Sequence, residues 1–237
     1  MNDNPVIRNL SRIEERVKVA ASKVGRDPGD ITIVAVTKYT DDTGVLHCVE
    51  AGLVNIGENK VQQALPKIEK LTYIKDKILW HFIGHLQSNK VKYILPHIAC
   101  IHSLDRISLA EEVNVQAKKL AQVIPCFLQV NISGEETKYG VAREDVIDFA
   151  NSLTAYENIK IIGLMTMAPF YDDPELTRPH FKALRLLRDE LSLMNLSNFQ
   201  IDHLSMGMSN DFHIAIEEGA TYIRLGSILL EEENISE

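Results

Sequence analysis

The chain has 237 residues, with 33 acidic against 25 basic side chains and a formal net charge of −8. Its 45% apolar and 24% charged content is that of a folded globular protein and excludes a disordered chain. The acidic balance argues against nucleic acid or an anionic membrane as partner, and no stretch reaches the roughly 18–20 unbroken apolar residues of a membrane span.

In chain order, Val6–Lys23 carries apolar residues at Leu10, Ile13, Val17, Ala20 and Ala21, an amphipathic helix closed by Gly25. Ile31–Lys38 follows as a β-branched run with little alternation, which suits a strand covered on both faces. Further apolar runs fall near Val54–Gly57, Leu79–Leu86, Cys100–Leu104, Ile124–Val130, Ile159–Met167, Phe199–Met206 and Tyr222–Leu225. Helical patterns separate them, among them Ile107–Leu120, Asp145–Leu153 and Phe181–Met194; Pro179 suits a first helical turn. Eight candidate strands, each but the last followed by a helix, imply parallel strands with helical crossovers. That count fits a single (β/α)8 TIM barrel spanning residues 1–237 better than an open parallel sheet, and no linker composition divides the chain. Cys48, Cys100 and Cys126 form neither an even framework nor a CxxC clip, so they read as buried thiols in a reducing compartment. The N-terminal residues lack the basic start and apolar core of a leader, so the expectation is a cytoplasmic protein.

In a barrel the chemistry gathers where the strands end. Lys38 closes the first run, on the same face as Val34 and Val36 if the strand continues through it. Desolvation there would favour the neutral amine that attacks carbonyls, although a solvated lysine at a strand end satisfies the same pattern. Ser205–Gly219 reads as strand end, glycine turn and helix, with Ser209 or Asn210 capping the helix and its free N–H groups forming an anion site. Arg224, Gly226 and Ser227 close the eighth run, and phosphate binding by the last two loops recurs in barrels. His81 and His85 lie about 13 Å apart along a strand, too far for one metal ion, which makes His81 a packed residue and His85 a rim residue. An amine opposite a phosphate cradle suits either bound pyridoxal 5′-phosphate (PLP) or a sugar phosphate in a lysine-type aldolase.

Successive segments then make a resemblance specific: Ala35–Lys38, Ile56–Asn59, Trp80–Lys90, Ile101–Arg106, Val130–Glu135 with Lys138 and Gly140, Gly163–Pro169, Leu204–Phe212 and Ile223–Ser227. In order and along nearly the whole chain they resemble the pyridoxal phosphate homeostasis protein family, also called the proline synthetase co-transcribed homologue family. The resemblance implies a fold-type III PLP-binding barrel similar to the N-terminal domain of alanine racemase. It matches Lys38 to the lysine that holds PLP as a Schiff base, and Ser209, Gly226 and Ser227 to phosphate contacts. It also matches Arg224 to the arginine facing the pyridine nitrogen, and Asn59 and Ser205 to positions near the ring. Lys60, Gln63 and Leu229–Leu230 depart from the family pattern at the rim.

A guanidinium donates to a pyridine nitrogen without protonating it, which weakens the ring as an electron sink. Racemisation also needs a base across the ring; in alanine racemase it comes from a C-terminal β-domain, whereas this sequence ends ten residues past Ser227. Tyr39 and Tyr139 are not placed there by anything in the sequence. The expectation is a monomeric PLP-binding protein serving vitamin B6 homeostasis without turnover, with apo PLP-dependent enzymes as recipients and no metal. The alternative is a PLP-dependent amino acid racemase.

Overall fold

The computed structural model describes residues 4–135 and 137–231; both chain ends, on which the leader and missing-domain expectations rest, lie partly outside the described residues. The strands are β1 (Thr32–Val36), β2 (Asn55–Glu58), β3 (Leu79–Phe82), β4 (Ile98–Leu104), β5 (Ile124–Asn131), β6 (Val141–Ala142), β7 (Ile159–Met165), β8 (Phe199–Ser205) and β9 (Tyr222–Leu225). All pairings are parallel, β1 pairs with both β2 and β9, and β4 pairs with β5, so the sheet closes on itself. The two-residue β6 only flanks β5, leaving eight strands in a (β/α)8 barrel.

Around it run α1 (Pro5–Lys23), α2 (Asp42–Glu50), α3 (Val61–Lys70), α4 (Val91–Ile94), α5 (Ile107–Lys119), α6 (Val146–Leu153), α7 (Arg178–Ser192), α8 (Phe212–Glu217) and α9 (Ser227–Leu230). The first helix starts where its sequence allows. Asn4 accepts from the Val6 N–H at 3.0 Å and Pro5 occupies the first turn, where a missing N–H costs nothing. Its buried stripe of Leu10, Ile13, Val17 and Ala20 packs against α2, α8 and α9. Asn9 Nδ2 then donates to the Leu229 and Glu231 carbonyls at 3.1 and 3.0 Å, tying the chain's start to its end. No helix of the described residues is long and apolar enough to cross a membrane.

Two cores result. The outer one lies between strands and helices, where Ile56, Ile101, Leu128, Ile161 and Leu204 meet side chains such as Val45, Val113, Phe181 and Ile216. Each fully buried aliphatic there contributes about 1.5–3 kcal/mol. The inner one fills the bore and is unlike the layers of branched aliphatics usual in such barrels. Cys100, Phe127 and Met165 form its only buried apolar cluster among the described residues, accompanied by polar rings. His102 and Phe127 lie 4.4 Å apart between ring centres, Phe127 and Tyr222 5.2 Å, and His203 and Tyr222 5.2 Å. Contacts of β9 with β4 and β5 can form only through the bore.

The first strand is shorter than its composition predicts. It ends at Val36; Thr37 still donates to the Gly57 carbonyl, but the Thr40 N–H turns back onto the Thr37 carbonyl at 3.1 Å. Lys38 therefore stands in the turn beyond the strand rather than as the crown of a Val34–Val36 column. The third run likewise ends early, at Phe82, and the last strand is followed by the short α9, where none was expected.

Candidate functional site

A cavity of about 990 Å³ opens at the C-terminal end of the barrel, lined by Lys38, Asn59, Ser209, Arg224, Gly226 and Ser227 among others. Six of the seven residues that the sequence singled out thus meet at one opening. The seventh, Ser205, is fully buried and lies beneath Arg224, to which it is hydrogen-bonded.

Lys38 is half-buried, with its Nζ 4.8 Å from the centre of the exposed Tyr39 ring. What holds its turn is a buried ion pair. Lys67 Nζ donates to the Thr37 carbonyl and to Glu58 Oε1, both at 2.7 Å, and Thr37 Oγ1 donates to the same carboxylate oxygen at 2.6 Å. Lys67 sits on α3 beside the buried Ala64 and Ile68, so the helix delivers an ammonium to the base of the barrel mouth. The sequence reading missed both members. Their signal was a lysine on the apolar stripe of a helix, and a glutamate ending a strand.

Asn59 follows β2 and is pressed by Gly84, where a Cβ would lie 2.7 Å from that of Asn59. Its Oδ1 is buried and has no hydrogen-bond partner among the described residues. At the far wall, Gly207 (φ +92°) makes the turn after β8 and accepts from the Arg224 N–H at 3.0 Å. Met208 N–H donates to Asp211 Oδ1 at 2.6 Å, and the Asp211 N–H donates to the Met208 carbonyl at 3.1 Å. Asp211, rather than Ser209 or Asn210, is accordingly the residue preceding α8, and its carboxylate reaches back into the turn instead of capping the helix. Burial pushes the Asp211 carboxyl above the usual carboxylate range, against the pull of the Met208 N–H and of Arg224. Ser209 and Asn210 stand in a bare turn, and among the described residues no acceptor takes their N–H groups.

Arg224 is 3% exposed, and no carboxylate touches it among the described residues. It donates from Nη1 to Ser205 Oγ at 2.7 Å and from Nη2 to the Thr166 carbonyl at 2.9 Å. Burial lowers its pKa to about 10, partly offset by Asp211, so it is a cation at neutral pH. Below it the contacts continue: Ser205 Oγ to His102 Nδ1 at 2.8 Å, His102 Nε2 to His81 Nδ1 at 2.9 Å, and His81 Nε2 to Asn55 Oδ1 at 3.0 Å. Burial depresses His81 to about 4 and His102 well below the ordinary histidine value.

His81 is thus packed inside the barrel and His85 lies at the rim, stacked on Tyr139 at 4.3 Å with Nδ1 3.7 Å from Asp105. The ligand atoms of His81, Cys100 and His102 fall within 4.8 Å of one another. All four imidazole nitrogens of that group are already engaged in the hydrogen bonds just described.

Comparison with known proteins follows the same lines. The family described as "Alanine racemase, N-terminal domain" matches residues 8–233. The chain is 43% identical to the pyridoxal phosphate homeostasis protein of Aquifex aeolicus over 94% of its own length and 96% of that protein's. It is 31% identical to the Escherichia coli protein of the same name, over 95% and 96%. Among solved structures, PipY of Synechococcus elongatus with PLP bound is 32% identical, with a TM-score of 0.80, covering 92% of this chain and all of that one. An alanine racemase of Clostridium difficile is 16% identical at a TM-score of 0.70, over 97% of this chain and 57% of its own, a likeness of fold alone.

Proposed function

The chain belongs to the pyridoxal phosphate homeostasis protein family, and from that premise we propose that it binds PLP at the barrel mouth, holds it through Lys38 and releases it without turnover. The observation that carries this reading is the sharing of one cavity by the Lys38 amine and by Arg224, a buried donor without a carboxylate partner among the described residues. The residues fit the group. Asn59 offers a buried oxygen with no partner, and the turn at Ser209 and Asn210 offers N–H groups without acceptors. When bound, PLP supplies an aldehyde that a neutral amine captures reversibly.

The chain's own residues do the remaining work. Ser209, Gly226 and Ser227 hold the phosphate with backbone N–H groups and hydroxyls, because oriented donors at a turn and a helix start attract an anion. Asn59 orients the ring's polar edge. Arg224 would face the ring nitrogen as a permanent donor that keeps its own proton, an arrangement that would leave that nitrogen unprotonated. That arrangement favours storage over carbanion chemistry. Racemisation also needs an acid or base opposite Lys38. Tyr39 and Tyr139 both line the cavity, Tyr39 beneath the Lys38 Nζ and Tyr139 stacked on His85. PLP was found in PipY, a relative of similar length, which supports transferring the ligand to this chain. Transfer to apo-enzymes, a monomeric state, a single domain over the whole chain and a cytoplasmic location belong to the same proposal. The last is supported by three free, buried cysteines, with burial pushing the Cys48 thiol up to about 12.

The test is spectroscopic. Protein incubated with PLP should turn yellow, and borohydride should fix the cofactor on the peptide carrying Lys38; Lys38→Ala should lose both signals. Labelling elsewhere would overturn the assignment of Lys38. Deuterium exchange at Cα across a panel of amino acids, carried out with the loaded protein, would overturn the reading without turnover.

A further inference from the structure

The contacts beneath Arg224 run from β9 through β8, β4 and β3 to β2, crossing the bore from its mouth toward the opposite end. Their two ends decide their direction. A guanidinium can only donate, and the side-chain oxygen of Asn55 can only accept. Between them lie one hydroxyl and two imidazoles, both neutral at pH 7 because burial opposes their protonation. Each neutral imidazole has one N–H and one bare nitrogen, so a single choice of tautomer propagates along the chain. If Ser205 accepts from Arg224 and gives its proton to His102 Nδ1, then His102 donates from Nε2 to His81, and His81 donates from Nε2 to Asn55. Every proton then has an acceptor. In the opposite sense Ser205 would accept from both neighbours, and its own proton would have no acceptor among the described residues. That sense would also require Asn55 to present its amide nitrogen.

We propose that Ser205, His102, His81 and Asn55 are positioning residues: a one-way hydrogen-bond chain that takes one Arg224 N–H at Ser205, beside the one that the Thr166 carbonyl accepts, and thereby fixes the donors left on the guanidinium toward the cavity. The chain holds a buried cation with neutral partners. A carboxylate at the same place would fix Arg224 equally well, but it would draw the guanidinium's donors and charge away from the ligand. The inference rests on the reading of Arg224 as a partner of the PLP ring nitrogen only for its consequence in binding. The direction of the chain stands apart from that reading.

The experiment therefore has two arms. In the first, the protein labelled with 15N-histidine is examined by NMR without ligand near pH 7. His81 and His102 should both be neutral Nε2–H tautomers, and both should keep that form in Asn55→Asp, since a carboxylate can only accept. An Nδ1–H form or an imidazolium at either residue in the wild-type protein, or an inversion in Asn55→Asp, overturns the proposal whether or not PLP binds. In the second, PLP binding is titrated by absorbance. Ser205→Ala should weaken it ~10-fold, on the scale of one buried hydrogen bond, and shift the visible band, while Ser205→Thr should restore both. Thermal melts identify a variant that fails to fold, and Asn55→Asp at the far end then carries the test. An Ser205→Ala protein that is folded and binds PLP with wild-type affinity and spectrum overturns the positioning role. If the wild-type protein takes up no PLP, the proposed function fails and the tautomer result is unaffected.

Discussion

Two polar clusters support the two cationic side chains of the mouth, and they do so in opposite ways. Beneath Lys38, outside the bore, Lys67 and Glu58 form an ion pair with side-chain exposures of 9% and 1%. It grips the backbone of the residue before Lys38, and among the described residues no carboxylate pairs with the lysine side chain itself. Beneath Arg224, inside the bore, the support consists of a hydroxyl, two uncharged imidazoles and an amide. The contrast follows from what each cation must do. A lysine that captures an aldehyde has to shed its proton, so the fixed charges act on the main chain and are balanced between themselves. An arginine that serves as a permanent donor can be held by its own N–H groups, provided that nothing neutralises it.

The sharpest break in this comparison comes from removing one charge of the clamp. Lys67→Ala strands the Glu58 carboxylate in the core with the Thr37 hydroxyl as its one remaining hydrogen-bond partner among the described residues, and loss of one member of a buried pair typically costs about 3–5 kcal/mol. Urea unfolding should show that loss. The double variant Lys67→Met, Glu58→Gln should recover most of it, because Glu58 Oε2 already has no partner and the native pair is incompletely satisfied. If the double variant is as unstable as the single, the ion pair itself stabilises the fold and the clamp is more than a positioning device. A folded double variant should also capture PLP on Lys38 more slowly, since the Thr37 carbonyl has lost its anchor.

How far these clusters could be read from the sequence differs between them, for a physical reason. The strands and helices are local: β-branched runs, the α1 stripe and Pro179 in the first turn of α7 are visible within a dozen residues, and Lys38, Asn59 and Arg224 stand out in the sequence because strand ends mark the barrel mouth. The bore is non-local. His81 and His102 are 21 residues apart, and His102 and Ser205 are 103 apart, so their bonds exist only once the sheet has closed. Ser205 ends a strand like the other candidates, and its bond to Arg224 exists only in the closed barrel. Lys67 escaped because a lysine in an amphipathic helix is ordinarily solvated; its register with Ala64 and Ile68 is the one local clue. The cap at Ser209 or Asn210 failed because the Asp211 carboxylate prefers the Met208 N–H, which lies behind it.

The neutral cluster can be broken by acid. His81 is depressed from 6.5 to about 4 in the folded protein. Above pH 6.5 it is uncharged in both folded and unfolded chains, and its site costs nothing. As the pH falls toward 4, the unfolded chain binds a proton there that the folded one excludes, so stability is lost through this window. At 1.36 kcal/mol per unit the loss at His81 is about 3 kcal/mol, and His102, which burial holds well below the ordinary histidine value, acts in the same direction. Urea midpoints measured from pH 7.5 to 4.5 should fall more steeply in the wild-type protein than in His81→Gln, by nearly one proton's worth of slope. Equal slopes would mean that His81 is protonated in the fold, which the one-way chain forbids.

The smallest effect belongs to a pair that imitates the clamp. One helical turn beyond Lys67, Lys70 Nζ lies 2.6 Å from Asp42 Oδ1 and joins the end of α3 to the first turn of α2. The bond between them raises the Lys70 ammonium and lowers the Asp42 carboxyl from their ordinary values, so the two attract. Yet their side chains are 63% and 29% exposed, water competes for both, and salt screens what is left. Lys70→Ala should therefore leave the urea midpoint within the scatter of replicates and leave PLP capture by Lys38 unchanged. Set beside Lys67→Ala it compares a buried pair with an exposed one for the same residue type on the same helix, although Lys67 also grips the Thr37 carbonyl and Lys70 reaches only Asp42 at the start of α2. A loss in Lys70→Ala that approaches that of Lys67→Ala would show that the mouth is held by charge alone, and the distinction between a buried clamp and a surface contact would lose its meaning here.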